Sequence, residues 1–370
     1  MSGDVILRAT EVVKHFPVQS SGLRRSRDVV HAVDGVSLEV HRGETLGLVG
    51  ETGCGKSTLA RCVARLFDLT AGTVEFDGQD ISRLKPRRLG QVRREMQMIF
   101  QDPYGSLNPK RRVGSIIGDP FAIHGIASGK DRKRRVQEMM ELVGLNPEHF
   151  NRFPAEFSGG QRQRIGVARA LALRPKLVIC DEPVSALDVS IQAQVLNLLA
   201  DLQQQLNLTY IFISHDLSVV RHVSDRLMLM YLGKVVESGP SEEVYNRARH
   251  PYSNALLSAI PLPDPRAMLE REKIVLVGDV PSPISPPEAC RFHPRCPKAQ
   301  PRCAEEEPLL ESRLGDGPRH VAACHYPVAD GESLAHARPT LAAEQRVVEP
   351  EPMAERAVWG PNGAGERSQP

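Results

Sequence analysis

A glycine-rich loop that carries a lysine and a serine lies between a predicted strand and a predicted helix. The apolar run over residues 45–49 indicates a buried strand, and the letters GETGCGKS follow it before a helical pattern begins. In this context the glycines let successive backbone N–H groups point at phosphate oxygens, and the helix N-terminus adds its positive dipole end. Lys56 would reach the β- and γ-phosphates, and the Ser57 hydroxyl would bind Mg²⁺. The residues expected to form this phosphate-binding loop are Gly50, Glu51, Thr52, Gly53, Cys54, Gly55, Lys56, Ser57 and Thr58.

Polar side chains also stand at the ends of three other predicted strands. They are Gln101 after residues 96–100, Asp181 and Glu182 after residues 177–180, and His215 after the run at 210–213. Because nucleotide hydrolysis needs positioning, charge neutralisation and an oriented water, each residue can be given a role. We expect Asp181 to coordinate Mg²⁺ and Glu182 to act as the general base on the attacking water. Gln101 would contact Mg²⁺ and that water, and His215 would hydrogen-bond the γ-phosphate.

A second anion cradle is predicted where the sequence SGGQ opens a long helix rich in arginine and alanine. A serine and two glycines at a helix start offer backbone N–H groups and the positive end of the dipole. One chain does not need two cradles for one triphosphate, whereas a head-to-tail pair of chains does. The residues of this second cradle are Ser158, Gly159, Gly160 and Gln161.

The order of predicted elements indicates an α/β fold. Short apolar strands alternate with helices, which predicts a mainly parallel sheet covered on both faces. Two short runs at 226–231 and 234–237 predict a hairpin around Leu232 and Gly233. The stretch from about 102 to 164 is turn-rich and then helical, with Val136, Met139, Met140 and Val143 at helical spacing, so we expect a helical insertion in the core.

Taken together, the motifs resemble those of the nucleotide-binding subunits of ATP-binding cassette (ABC) transporters. They appear in that family's order: Walker A at Gly50–Ser57, Q-loop at Gln101, signature at Phe157–Gln161, Walker B at Leu177–Asp181 with Glu182, D-loop at Ser185–Asp188 and switch histidine at His215. The signature reads FSGGQ where the family most often has LSGGQ. The resemblance implies a P-loop NTPase (RecA-like) core with an antiparallel β part and a helical subdomain. It also implies that Phe16 stacks on adenine, that Asp188 lies at the nucleotide, and that residues after Gln101 contact membrane partners.

A narrower resemblance covers roughly residues 4–327. The segments QDPYGSLNP (101–109), HPYSNALLSAIP (250–261) and FHPRC…ACH (292–296, 323–325) are similar to ATPase subunits of bacterial dipeptide/oligopeptide importers. This implies a second, related ATPase subunit as partner, two transmembrane permease subunits and an extracytoplasmic substrate-binding protein. It also implies an ABC domain at 1–260 and a small cysteine-containing domain at 261–328. Residues 329–370 lack apolar periodicity and predict a disordered tail.

Four of the seven cysteines cluster near the end of the chain: Cys290, Cys296, Cys303 and Cys324. Four thiolates in a proline-rich segment can hold a metal and so order a stretch with little core. No CxxC pair is present, which disfavours a zinc ribbon without excluding it. The family resemblance implies a [4Fe–4S] cluster on these cysteines, and free thiols or a disulfide remain open. The other three cysteines, Cys54, Cys62 and Cys180, are interpreted as small buried hydrophobes.

Composition limits the class of protein. The 370 residues carry 47 Lys+Arg against 45 Asp+Glu, a net charge of +2, which argues for neither a nucleic-acid nor a strongly acidic partner. No secretion signal is recognised at the N-terminus, and no apolar run approaches a membrane span. Composition therefore favours a protein that stays in the cytosol, and the family resemblance implies a peripheral protein on the cytoplasmic face of the cell membrane.

The sequence leaves the cargo open. Nickel, glutathione or other small solutes are alternatives to peptides, because other subunits choose the cargo. A soluble ABC ATPase of DNA repair or translation is a further alternative, disfavoured because the chain has one cassette and no long coiled coil.

Overall fold

The structure is a computed structural model, and it describes residues 4–18, 28–261 and 273–335. The strands are β1 Val5–Pro17, β2 Val29–His41, β3 Thr45–Val49, β4 Ala71–Phe76, β5 Gln79–Asp80, β6 Met96–Ile99, β7 Leu177–Asp181, β8 Thr209–Ser214, β9 Arg226–Tyr231, β10 Lys234–Pro240, β11 Leu310–Glu311 and β12 Val321–Ala323. The α-helices are α1 Lys56–Val63, α2 Gly90–Glu95, α3 Pro103–Ser106, α4 Val113–Ile123, α5 Gly129–Leu142, α6 Gly159–Leu171, α7 Val189–Leu206, α8 Leu217–Val223, α9 Ser241–Asn246, α10 Pro251–Ser258 and α11 Pro301–Glu305. Short 3₁₀ helices lie at Pro86–Arg88, Pro147–Asn151, Pro154–Glu156 and His293–Arg295.

The larger sheet has eight strands within the described ranges, in the order β11-β12-β10-β9-β3-β8-β7-β6. The five strands from β9 to β6 run parallel to one another, and β10, β12 and β11 continue the sheet antiparallel. The smaller sheet is antiparallel, in the order β2-β1-β4-β5. The predicted α/β fold with a mainly parallel core and an antiparallel β part is confirmed.

Continuous apolar runs form the central strands because both faces of the larger sheet are covered. All residues of β7 and of β8 are buried. In β7, Val178 and Cys180 belong to the core on one face, and Leu177 and Ile179 belong to the core on the other. The carboxyl ends of these strands are therefore held at fixed positions along one edge of the sheet.

The segment between β6 and the start of α6 is helical, as the periodicity predicts. Val136, Met140 and Val143 are fully buried and pack in one core with Ile117 of α4, while Met139 is partly buried against it. This core also contains residues of the parallel strands, so the helical segment is packed on the sheet.

The hairpin predicted around Leu232 and Gly233 joins β9 to β10, with Tyr231 paired to Lys234. Both loop residues have positive φ, 44° and 79°, which is the backbone of the tight two-residue turn that suits twisted strands. The Gly233 carbonyl accepts from Asp34 N, and the Gly233 N–H donates to the Cys54 carbonyl at 2.8 Å. This hairpin therefore connects the smaller sheet to the phosphate loop.

The predicted C-terminal domain adds β11 and β12 to the edge of the larger sheet, where Ala322 pairs with Glu237. Its described part begins at residue 273. Of the predicted tail, residues 336–370 lie outside the described residues. Among the helices that the structure describes, none combines the length and the hydropathy needed to cross a membrane.

Candidate nucleotide-binding site

The glycine-rich loop follows β3 and leads into α1. Lys56 is 4% exposed, and its ammonium donates to the carbonyls of Gly50 at 2.6 Å and Glu51 at 2.9 Å. Thr52 and Gly53 are exposed at the outer turn of the loop, whereas Cys54 is buried beneath it, where burial raises the pKa of its thiol. Ser57 and Thr58 are half-buried in the first turn of α1.

Two glycines of the loop are required by close backbone contacts. Gly50 and Gly55 have φ of 154° and 108°, in the region that favours glycine. A Cβ on Gly50 would lie 2.2 Å from the Met230 carbonyl oxygen, and one on Gly55 would lie 2.1 Å from that of Ala32. The loop therefore lies directly against the backbone of its neighbours.

Asp181 is the last residue of β7, and its side chain lies beside the phosphate loop. Its Oδ1 accepts from the Ser57 hydroxyl at 2.7 Å, and Arg61 Nη2 is 3.8 Å from Oδ2. Burial raises the pKa of this carboxyl. Among the buried side-chain atoms of the described residues that have no hydrogen-bond partner, Asp181 Oδ2 is the only carboxylate oxygen. A hydroxyl and a carboxylate oxygen with a spare lone pair are the hard oxygen ligands that suit Mg²⁺.

Glu182 lies between the two other predicted catalytic groups, Gln101 and His215. Its Oε2 accepts from Gln101 Nε2 at 2.8 Å, and its Oε1 lies 3.3 Å from His215 Nδ1. The backbone of Glu182 is in the left-handed region, with φ 48°, and its N–H donates to the Ile213 carbonyl of β8. Such a conformation disfavours a side chain with a Cβ, and it is often found at functional positions. The structure thus brings the ends of β6, β7 and β8 together through one carboxylate.

The residues of the predicted second cradle lie at the start of α6 and cap it. The Ser158 hydroxyl accepts from Gln161 N at 3.3 Å, and Gln161 Oε1 accepts from Ser158 N at 3.0 Å. Ser158 and Gln161 are exposed, Gly159 is half-buried and Gly160 is buried. No hydrogen bond among the residues that the structure describes joins this cap to the phosphate loop. Within one chain, therefore, these residues and the loop do not form one site.

Two further predicted residues lie in local contacts. Asp188 is exposed and caps α7, where hydrogen bonds from Ile191 N and the Ser190 hydroxyl lower the pKa of its carboxyl. Phe16 is half-buried near the end of β1, with its ring 5.6 Å from that of Phe67.

Three side chains at the site were not predicted from the sequence. Arg61 lies one turn after Ser57 on α1, so its spacing along the helix is a signal that could have found it. Tyr252 of α10 accepts at its hydroxyl from Glu51 N at 2.9 Å, and Arg295 donates to the Glu51 carboxylate at 2.9 Å. Neither of these two contacts has a local sequence signal.

The four clustered cysteines lie in the C-terminal segment, and all seven cysteines of the chain are free thiols. Cys296, Cys303 and Cys324 are buried and Cys290 is half-buried. Burial raises the pKa of Cys290 to about 11 and that of Cys324 to about 12, and it also raises that of Cys296.

Two family models match the chain. One, described as "ABC transporter", matches residues 33–185, and one described as "Oligopeptide/dipeptide transporter, C-terminal region" matches residues 236–303. The oligopeptide transport ATP-binding protein AppF of Bacillus subtilis is 52% identical over 323 residues, which cover 87% of this chain and 97% of the relative. The chain belongs to the ATP-binding proteins of the ABC transporter family. It is therefore an ABC-type ATPase, with ATP and Mg²⁺ as the family's cofactors.

Other relatives and solved structures agree with this assignment. OppF of Escherichia coli, an oligopeptide transport ATP-binding protein, is 50% identical and covers 86% of this chain and 96% of its own length. The di/tripeptide transport ATP-binding protein DppF of Pseudomonas aeruginosa is 48% identical over 87% of this chain and 98% of its own. The dimeric post-hydrolysis structure of the ATP-binding cassette MJ0796 bound to ADP and Pi has a TM-score of 0.57 and 27% identity, and the match covers 64% of this chain and 98% of that chain.

The prediction of an iron–sulfur cluster is wrong. The matched families are described as transporter families and the relatives as transport ATP-binding proteins, and none of these descriptions includes a cluster. Among the described residues, no three cysteine sulfurs lie within 4.8 Å of one another; the one set of possible ligands that does is His15, His31 and Asp34. The physical reason for the error is that cysteines are also small apolar core residues. Cys296 belongs to the main core, and Cys290 packs against it.

Proposed function

We propose that the chain is the ATP-hydrolysing subunit of an importer that carries dipeptides or oligopeptides across the bacterial cytoplasmic membrane. The observation that carries the proposal is the identity of 48–52% with peptide-transport ATP-binding proteins over 86–87% of the chain. In this proposal residues 1–260 form the ABC domain and residues 261–328 a C-terminal domain.

The phosphate loop and Asp181 are the proposed site of Mg-ATP, with Phe16 against the adenine. On binding, Lys56 exchanges its two carbonyl acceptors for phosphate oxygens. This exchange is favourable because charged phosphate oxygens are stronger hydrogen-bond acceptors for a buried ammonium than neutral carbonyls are. Ser57 and Asp181 would hold Mg²⁺, which would neutralise negative charge at the phosphates. Asp181 Oδ2 supports this assignment, since a buried carboxylate oxygen without a hydrogen-bond partner is costly.

Glu182 is the proposed general base. A carboxylate that is 11% exposed, and that is contacted by both Gln101 and His215, can be aimed at one water molecule. Gln101 donates from its amide to Glu182 Oε2 and so helps to orient this carboxylate. His215, which is half exposed, can turn from Glu182 toward the γ-phosphate.

A second ATPase subunit, related but different, is the proposed partner across the nucleotide. Ser158, Gly159, Gly160 and Gln161 would then face the phosphate loop of the partner, with Asp188 near the same interface. Two observations support this pairing. Ser158 and Gln161 are exposed, and within the described ranges no hydrogen bond joins the cap to its own chain's loop. A similar cassette of known structure is dimeric. Two ATP molecules between the subunits would close the pair, and hydrolysis would reopen it.

A cleft beside Gln101 is the proposed contact for the transmembrane permease subunits. It has a volume of about 730 Å³ and lies between β6 and the helical segment. Its lining includes Phe100 and Ile123, apolar side chains that are 37% and 78% exposed. Large exposed apolar residues at a cleft are typical of a protein contact. Through it, closure at the nucleotide would reach the membrane from the cytoplasmic face, and an extracytoplasmic binding protein would supply the permease with cargo.

The test is uptake of labelled di-, tri- and oligopeptides in cells whose only copy of this subunit is Glu182→Gln. We expect loss of uptake of one peptide class, while Glu305→Gln, the same change at an exposed carboxylate distant in sequence from the motifs, retains it. Unchanged peptide uptake would contradict the peptide cargo and would direct the assay to nickel, glutathione and other small solutes. Failure of the subunit to co-purify with membranes would instead favour a soluble ABC ATPase.

A further inference from the structure

Glu51, the second residue of the phosphate loop, has each of its polar groups held by a different partner. Its N–H donates to the Tyr252 hydroxyl at 2.9 Å. Its carbonyl accepts from Lys56 Nζ at 2.9 Å and from Cys54 N at 3.2 Å. Its carboxylate accepts from Arg295 Nη1 at 2.9 Å, and Nη2 lies 3.2 Å from the same carboxylate. The conformation of this turn is therefore fixed both from within the loop and from residues after 250.

The groups that contact the loop from outside are themselves rigidly packed. Arg295 ends a 3₁₀ helix of the C-terminal segment and is 9% exposed, with Nη1 also 3.3 Å from the Tyr231 hydroxyl. Tyr231, Tyr252 and Phe292 are at most 1% exposed and pack ring against ring at 4.9–5.4 Å. A guanidinium and a hydroxyl fixed in this way can position a loop, because little side-chain freedom remains to be lost.

We infer that Arg295 and Tyr252 are positioning residues for the phosphate loop, and that the C-terminal region thereby sets the affinity for ATP. This inference rests on the proposed function of the loop. When Lys56 turns to a phosphate, it releases the carbonyls of Gly50 and Glu51. Once Lys56 has left, the side chains that still hold Glu51 are those of Tyr252 and Arg295.

Charge gives a second reason for the same effect. The Glu51 carboxylate is 25% exposed on the loop that receives the phosphates, and without a partner it would repel them. Arg295 neutralises it through a paired, charge-assisted contact. Loss of Arg295 is therefore expected to weaken nucleotide binding both by loosening the turn and by leaving an unpaired negative charge beside the site.

The test measures binding of Mg-AMPPNP to the full chain by calorimetry. Arg295→Gln should raise Kd about tenfold, and Tyr252→Phe, which removes one hydroxyl, about threefold. Arg295→Lys should recover part of the loss, because it keeps the charge but not the paired geometry. In a Glu51→Gln background, Arg295→Gln should have no further effect, since the residues act through one contact. In ATP hydrolysis, KM should rise while kcat stays within about twofold.

The matched control is Arg302→Gln, an arginine of the same segment that pairs with Glu306 on the surface. Its Kd should equal that of the parent. Where Arg295→Gln fails to fold, Tyr252→Phe and Glu51→Gln test the same contacts. If these variants lose thermal stability but bind the probe within twofold of the parent, the contacts are structural only and the inference is overturned. A parent that does not bind the probe at all would overturn the proposed function as well.

Discussion

Replacing Asp181 by asparagine should stabilise the empty protein while weakening its response to Mg-ATP. Asp181 is fully buried, and burial raises the pKa of its carboxyl despite the hydrogen bond from Ser57 and the charge of Arg61. The free-energy cost of burying the charge therefore exceeds the stabilisation that Ser57 and Arg61 provide. Asparagine keeps an oxygen to accept from the Ser57 hydroxyl and removes the charge.

The expected gain is about 1–2 kcal/mol in the free energy of unfolding, the usual size for relieving one unfavourable feature at a functional site. For a domain of this size each kcal/mol corresponds to about 2–4 °C in Tm. The sign follows from linkage. A raised pKa means that the folded state binds the proton more tightly than the unfolded state does. The carboxyl therefore does not lower the free energy of unfolding below its unfolded pKa, about 3.9. It lowers this free energy progressively as the pH rises from there through the folded pKa. The gain from Asp181→Asn should therefore be largest near neutral pH and shrink toward pH 4.

Thermal unfolding of parent and variant, with and without Mg-ATP, measures both halves of this prediction. Without nucleotide the variant should melt at the higher temperature, and with Mg-ATP the order should reverse because the variant lacks an anionic ligand for Mg²⁺. Asp188→Asn is the control. Asparagine caps a helix as well as aspartate does, so the Tm of this variant should hardly change. A variant that is less stable than the parent near pH 7 without nucleotide would refute the reasoning, because the carboxylate would then be net favourable in the fold.

Three further substitutions test other parts of the structure. Glu182→Gln should lower the ATP hydrolysis rate by at least a hundredfold with nucleotide Kd within a few-fold, and wild-type-like turnover in the assembled transporter would rule it out as the base. Asp316→Asn should cost about 3 kcal/mol in denaturant unfolding at pH 7, because Arg249 is buried against it at 2.6 and 2.8 Å. Hydrogen bonding from Arg249 lowers the pKa of Asp316, so this loss should shrink as the pH falls through the acidic range, and a pH-independent loss would contradict the pairing. Gly160→Ala should lower Tm, since its Cβ would lie 2.3 Å from a methyl of an isoleucine in α7, whereas Gly166→Ala, with open space around its Cβ, should not.

The sequence predicts the fold and the strand-end chemistry because both depend on local patterns. One pattern, an apolar run followed by a polar residue, predicts both the strand β7 and the functional residue Asp181. A parallel sheet then brings the carboxyl ends of its strands to one edge. The helical spacing of Val136 and Met140 predicts α5 for the same reason. Strands of two or three residues, such as β11 and β12, are too short to show any period, so their place in the larger sheet could not be predicted.

Contacts between distant parts of the chain have no such local signal. Arg295 lies 244 residues after Glu51 and Tyr252 lies 201 residues after it, and nothing in either neighbourhood indicates the other. The cysteine cluster misled in the opposite direction, because the family resemblance implied an iron–sulfur cluster on it. Four thiols close in sequence suggest a metal site, but the same residue type also fills apolar cores, and spacing alone does not separate these two uses.

Two unfavourable features stand on adjacent residues of the candidate site, and this supports the site without reference to any motif. One buried ion pair outside the site is well compensated: Arg249 and Asp316 are each about 2% exposed and meet in a paired contact. Beside the phosphate loop the compensation is incomplete, since Asp181 keeps a buried oxygen without a hydrogen-bond partner and Glu182, the next residue, has a left-handed backbone. Two adjacent residues that each lower stability are difficult to explain by folding alone. They are explained if the missing partner is a ligand, because binding then returns the stability that the empty site lacks.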